Sequence, residues 1–195
     1  MFKRSLTTAV LAAAIATPVA LPTHAQAAEY VLDTEGQHAF IEWRIQHLGY
    51  SWLYGRFNDF EGHFTYEDGQ IEDASVEVTI DMASLDSNHA ERDKHLRGDD
   101  FFAVGEYPQA TFESTGIEST DDGFVITGDL TMRGVTKEIE IEAEKIGEGE
   151  DPWGGYRAGF LGTTTLTLKD FGIDYDLGPA STTAEVTLSV EGIRQ

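Results

Sequence analysis

The sequence predicts an all-β fold: a single antiparallel barrel of eight or so strands with one short helix. Three observations carry this. Apolar and polar residues alternate at period two along several segments, glycine-rich turn signals separate those segments, and only one stretch carries helix signals. So many antiparallel strands in one domain must hide their edges, and closing into a barrel does that. A sandwich satisfies the same alternation and stays the second architecture. An eight-stranded barrel has an interior just wide enough to be filled by side chains or to hold one elongated ligand.

The elements follow in chain order. Tyr30–Thr34, Ala39–His47 and Trp52–Tyr66 read as strands. From Ala74 to Met82 every even position is apolar and every odd one polar, which gives a strand one dry and one wet face. Asn88–Arg97 is the helix, with Asn88 as N-cap, Glu91 completing a capping box and Gly98 closing it. Ala110–Ile117 and Phe124–Met132 are strands again. In the next, Ile139, Ile141 and Ala143 alternate with Glu138, Glu140, Glu142 and Glu144. Arg157–Lys169 follows, and in the last strand Ala184, Val186, Leu188 and Val190 alternate with polar residues. Glu67-Asp68-Gly69, Asp121-Asp122-Gly123, Arg133-Gly134 and Pro152-Trp153-Gly154-Gly155 are the turns.

Composition narrows the function classes. Of 195 residues 35 are acidic and 13 basic, a net charge of −22, so a nucleic-acid partner is not expected. Hydrophobic residues at 41% and aromatics at 11% suffice for a real core. No apolar run approaches the roughly 20 residues of a spanning helix. Residues 1–27 read as a secretory signal peptide: Lys3 and Arg4, an apolar run from Ala9 to Ala16, and Ala25-Gln26-Ala27 before the cut. Cleavage before Ala28 removes two basic and no acidic residues, so −22 becomes −24 over residues 28–195. The absence of cysteine leaves stability to the core, although an exported compartment would permit disulfides.

Signatures of known chemistries are missing. The sequence contains no GxxxxGK[ST], GxSxG or HExxH, and a cysteine nucleophile is excluded. His38 and His47 have opposite strand parity, and His89 and His95 lie off a common helix face, so no metal is expected from their spacing. Glu148-Gly149-Glu150-Asp151 offers calcium ligands without an EF-hand pattern and reads as a solvated turn. Five aromatics, Tyr50, Trp52, Tyr54, Phe57 and Phe60, cluster beside Gly49 and Gly55; they fit a ligand-gripping wall and ordinary packing about equally. On the helix, Asp93 with Arg97 and Glu91 with His95 sit one turn apart, as surface decoration does.

Three ordered motifs carry a resemblance. His38-Ala39-Phe40-Ile41-Glu42-Trp43-Arg44-Ile45-Gln46-His47-Leu48-Gly49 resembles the opening strand motif of the YceI-like family. Arg92-Asp93-Lys94-His95-Leu96-Arg97, with Asp100-Phe101-Phe102 and Tyr107-Pro108-Gln109-Ala110-Thr111-Phe112, is similar to its second motif. Thr127-Gly128-Asp129-Leu130-Thr131-Met132-Arg133-Gly134-Val135-Thr136 is similar to its third, and the match runs from Glu29 almost to Gln195. The resemblance implies a lipocalin-like barrel whose cavity holds one polyisoprenoid lipid, such as a long-tailed quinone of the ubiquinone type. It also implies a periplasmic protein that is often a homodimer and has no established catalytic residues. The acid excess departs from the family pattern and suggests a salty habitat, where self-repulsion is screened.

Strand parity assigns the lumen. On Ala39–His47 the odd positions share one face, so Ile41, Trp43, Ile45 and His47 point inward with Ala39, and His47 is a polar group at the wall's end. Trp52, Tyr54 and Phe57 join them from the aromatic cluster, Val76, Val78 and Ile80 from the next strand, and Phe112, Leu130, Ile139 and Ile141 from the far wall. Arg44 falls on the outward parity, and few cations are available, so a neutral quinone head is favoured over a polyprenyl phosphate. The expected function is a periplasmic carrier, store or stress-response binder of one isoprenoid, with no cofactor and no stable membrane association. An enzyme acting on the isoprenoid through His47, His38 or the Arg92/Asp93 pair is the alternative, and a barrel filled with its own side chains the third.

Overall fold

A computed structural model describes residues 27–175 and 177–195. The leader read at residues 1–27 falls, but for Ala27, outside them. Eleven strands form one sheet: β1 (Ala28–Leu32), β2 (Phe40–His47), β3 (Ser51–Phe57), β4 (Phe60–Tyr66), β5 (Ser75–Asp81), β6 (Leu85–Asp86), β7 (Gln109–Ser119), β8 (Phe124–Met132), β9 (Val135–Glu150), β10 (Tyr156–Thr167) and β11 (Thr183–Arg194). The helix α1 spans Ala90–Leu96. All pairings are antiparallel, and the ring β1-β4-β5-β7-β8-β9-β10-β11 is closed by β11 pairing back onto β1. That ring is the eight-stranded barrel the alternation predicts, and the sandwich is set aside.

The three remaining strands are explained by register. Gly192–Arg194 of β11 pairs with β1, and Glu185–Ser189 of the same edge pairs with β2. β1 and β2 are therefore consecutive pieces of one wall position, interrupted by the Asp33–His38 corner. In the same way β3 continues β4, and β6 continues β5. The run Trp52–Tyr66 is thus two strands, broken at Asn58-Asp59, where Asn58 N–H instead bonds Ser84 C=O.

Turn chemistry fixes the hairpins. Arg133 and Gly134 both have positive φ (52° and 72°) between β8 and β9, the two-residue connection that matches strand twist. Leu48 and Gly49 (52° and 78°) are the central pair of a turn closed by Tyr50 N–H on His47 C=O, within the three-residue connection between β2 and β3. Three details differ from the sequence reading. The helix is capped by His89, whose Nδ1 accepts from Arg92 N–H at 3.2 Å, while Asn88 takes a left-handed φ of 61°. Arg157–Lys169 leaves the sheet at Thr167 and becomes a 3-10 turn. Glu148–Glu150 belong to β9, and Asp151 binds Arg157, so the acidic segment is an ion-paired strand end and not a solvated turn.

The core forms two clusters along the barrel axis. Near the β9–β10 turn, Tyr30 stacks on Phe64 with centroids 4.9 Å apart, and Phe160 meets Phe64, Tyr66 and Phe124 edge-on. Near α1, Met82, Phe112, Leu130, Met132, Ile141 and Phe171 are buried together. Strand glycines make room for rings: a Cβ on Gly55, Gly128 or Gly192 would collide with Trp43, Phe112 or Phe64 respectively.

Candidate functional site

Between the two clusters runs a cavity of about 180 Å³. Ile41, Phe57, Phe60, Phe64, Tyr66, Phe112, Ile126, Leu130, Ile139, Ile141, Phe160, Leu166 and Leu188 are among the residues that line it. Thr65, Ser75 and Thr164 bring hydroxyl side chains to its wall, and none of the described residues that line it is charged. Such a slot offers dispersion and desolvation to an apolar chain and almost no directional bonding.

Nine of the fourteen residues assigned to the lumen lie on this wall: Ile41, Phe57, Val76, Val78, Ile80, Phe112, Leu130, Ile139 and Ile141. Five do not. Trp43, Ile45 and His47 share the face of Ile41, but β2 overshoots the barrel. β11 accompanies it only as far as Arg44, opposite Glu185, so the inner face beyond that point leaves the lumen. Beyond it Ile45 is half-buried opposite Leu53 and His47 is exposed, whereas Trp43 still pairs with Val186 but lays its ring sideways over Gly55. Trp52 and Tyr54 have the opposite parity, since they pair with Gln46 and Arg44. Both are exposed, with Trp52 beneath the Arg44 guanidinium at 4.4 Å and Tyr54 60% accessible.

Other lumen residues were already written in the pattern. Val186, Leu188 and Val190 are the dry face of β11, and Phe64 and Tyr66 share β4 parity with Phe60. The phenol of Tyr66 is turned out of the cavity. It accepts from Lys145 Nζ at 3.0 Å and donates to Asp68 at 3.1 Å, and burial holds its pKa up at about 12.

Of the polar groups suggested as catalytic, His47 is exposed, while His38 and the Arg92/Asp93 pair belong to braces at the two ends. His38 Nδ1 lies 2.9 Å from Asp33 Oδ2, and Arg157 Nη1 lies 2.5 Å from both Asp33 and Glu191. Bonding from His38 and then Arg157 pulls the Asp33 carboxyl down to about 2. Oxygen and nitrogen atoms of Asp33, His38 and Glu191 come within 4.8 Å of one another, as a metal site requires, but the Arg157 guanidinium already supplies the cation there. At the other end, Asp93 accepts from Ser87 N–H at 2.9 Å and from its hydroxyl, while Arg92 Nε donates to Ser87 Oγ at 2.7 Å. Arg97 binds the carbonyls of Ala83 and Leu85, and Arg133 those of Asp99 and Gly172. The arginines of the second and third motifs thus pin the loops across the barrel end, a role that helical spacing could not disclose.

Comparison with known proteins agrees with this geometry. A family model described as a YceI-like domain matches residues 30–192. The UPF0312 protein of Pseudomonas paraeruginosa is 58% identical over 195 residues, all of either chain. The crystal structure of the Campylobacter jejuni YceI protein superposes with a TM-score of 0.70 at 30% identity, covering 77% of this chain and 90% of that one. A polyisoprenoid binding domain from Saccharophagus degradans, implicated in plant cell wall breakdown, shares the fold with a TM-score of 0.62 at 15% identity, over 87% and 99% of the two chains.

Proposed function

Because the chain belongs to the YceI-like family, we propose that it is a periplasmic binding protein which holds one long-chain isoprenoid lipid in its barrel, for carriage, storage or stress response. The observation that carries this is the cavity wall, which is overwhelmingly apolar and, among the described residues, free of charged side chains. Burial of a polyprenyl tail there gains roughly 25 cal/mol for each Å² removed from water. The slot of about 180 Å³ is slender beside the roughly 300–1,000 Å³ of drug-sized pockets. A tail therefore lies in single file, and flexible Met82 and Met132 on the wall shift to admit it.

The same wall bears on the head group. A pyrophosphate needs converging Arg or Lys, and Arg44, Arg157 and Lys145 are each held by acidic partners. A neutral quinone head fits better. Export through the leader at residues 1–27 and a homodimer belong to the same reading, on the strength of sequence pattern and family likeness. Native mass spectrometry of protein purified from its own host, followed by solvent extraction, tests it. One isoprenoid per chain is expected, and protein that carries none when isolated and takes up none from added ubiquinone overturns it.

A further inference from the structure

The β2–β3 hairpin does not behave like the rest of this surface. From Trp43 to Asn58 the sequence has no Asp or Glu, although the chain carries 35. Its tip exposes Leu48 (53%), Tyr50 (86%), Trp52 (37%) and Tyr54 (60%). A turn of this type asks for Asn or Gly where φ is positive, yet Leu48 stands there at φ 52° with half its surface in water. Its side chain leans toward Gly178, where an added Cβ would stand 3.7 Å from Leu48 Cδ2, but turn chemistry does not account for the choice and half of the residue stays in water. Strain retained beside exposed apolar surface points to a use for it.

Two further features say what the use is. Trp and Tyr with an aliphatic residue at a tip lacking acidic charge match the chemistry of a bilayer's head-group boundary, where amphipathic rings settle. The inner face of the hairpin is also continuous with the cavity. Ile41 and Phe57 form a cross-strand pair on the cavity wall, and Trp43 and then the Ile45–Leu53 pair carry the same apolar face outward to the tip. We infer that this tip is the edge with which the protein touches a lipid bilayer, and that the hairpin's inner face is the track along which an isoprenoid passes between bilayer and lumen. The second half rests on the lipid-binding reading above; the first does not. The contact is brief, because the remaining surface is strongly acidic and is repelled by anionic head groups.

Single-site labelling tests the contact directly, since the chain has no native cysteine. Leu48→Cys and, as a control near the opposite end, Ile146→Cys each receive a polarity-sensitive fluorophore. With phosphatidylcholine vesicles in excess, the label at 48 shifts to the blue and brightens while that at 146 does not. Adding phosphatidylglycerol to the vesicles weakens the effect. No shift at 48, or equal shifts at both, overturns the inference. A shift at 48 that grows with protein concentration without vesicles overturns it in favour of a second copy as the occupant. For the track, Leu48→Asp with Tyr50→Asp slows transfer of bound ubiquinone to phosphatidylcholine vesicles by about tenfold or more, with ubiquinone bound per chain unchanged. Aspartate suits the left-handed turn position, so folding survives. The same charges at Ile146 and Trp153 leave transfer unaltered. An unaltered rate in the tip variant overturns the track. If the wild type itself holds no ubiquinone, the lipid-binding reading and the track fall together, while the label at 48 still decides the contact.

Discussion

Arg157 and Asp33, 124 residues apart, meet with Nη1 2.5 Å from Oδ2, and the same guanidinium holds Asp151 through Nε at 2.8 Å. This contact ties the corner between β1 and β2 to β10, and Asp33 also fixes the corner itself by accepting from Gly36 N–H at 2.8 Å. A buried carboxylate with three donors is the kind of group whose removal is felt, because its partners are left behind unpaired.

The acid limb of stability follows from its titration. Asp33 falls from the ordinary 3.8 to about 2, so its contribution is fully present above pH 3.8 and is lost as pH drops toward 2. The shift corresponds to about 2 kcal/mol. Asp33→Asn should lower the midpoint of thermal unfolding by roughly 4–8 °C at pH 7. It should also flatten the decline between pH 4 and 2, a combination that melting curves at several pH values would show.

Charge on the outer wall sets a salt response. Glu77 stands directly opposite Glu113, and Glu138 opposite Asp129, while Glu140, Glu142 and Glu144 crowd the same face of β9. Like charges across a ladder destabilise, and salt relieves them. Melting temperature should rise from low to molar NaCl. Glu113→Lys should raise it in low salt, by something on the order of 0.2–1 kcal/mol in stability, and should blunt the salt dependence. A flat or falling curve for the wild type would refute this.

The cavity itself is probed at Val78, on its wall beside Gly62. Val78→Phe should expel bound isoprenoid while the fold stays intact, because the ring takes the ligand's space. In a fully packed interior the same ring would cost roughly 1–3 kcal/mol. Val78→Asp should abolish binding or unfold the barrel, whereas Glu77→Gln on the wet face should do neither. Extraction with mass spectrometry and thermal melting, run in parallel, separate these outcomes.

Gly128 is required for a reason of space. A Cβ there would lie 2.4 Å from Phe112 Cζ and 2.6 Å from the Glu113 carbonyl oxygen, and the second contact is backbone that cannot swing away. Gly128→Ala should cost roughly 1–3 kcal/mol. Gly147→Ala, on the neighbouring β9 with open space around it, should be neutral or mildly stabilising. Chemical denaturation of the pair would measure the contrast.

How much of this could be read from the chain depends on what a local pattern encodes. Period two says which face a residue takes, so Val76, Val78, Ile80, Ile139 and Ile141 are placed on the wall by pattern alone. It does not say where a wall ends. Ile45 and His47 have the right parity on a strand that runs past its neighbour, which only the β11 register reveals, and Trp43 has it too but fills the space over Gly55 instead. Aromatic character suggests an inward place for Trp52 and Tyr54, but their parity, opposite Gln46 and Arg44, turns them out. Caps depend on backbone angles one residue apart, which is why His89 and not Asn88 closes the helix. The Arg157 brace is invisible locally, because its partners converge only once the sheet has curled round on itself.

That curl has a consequence for how the protein comes to be folded. Ring closure joins the first strand to the last: β1 pairs with β11, and Gln195 N–H reaches Glu29 C=O at 2.9 Å. The contact spans nearly the whole chain, so it forms only after the C-terminus is available and late in a slow, non-local search. Until then the edges of β1 and β11 stand open as templates for a wrong neighbour. Because Glu29 and Gln195 finish side by side, joining the two by a short linker and reopening the chain at the Asp121–Gly123 turn would turn this last event into a local hairpin. The permuted barrel should refold faster while reaching the same native state.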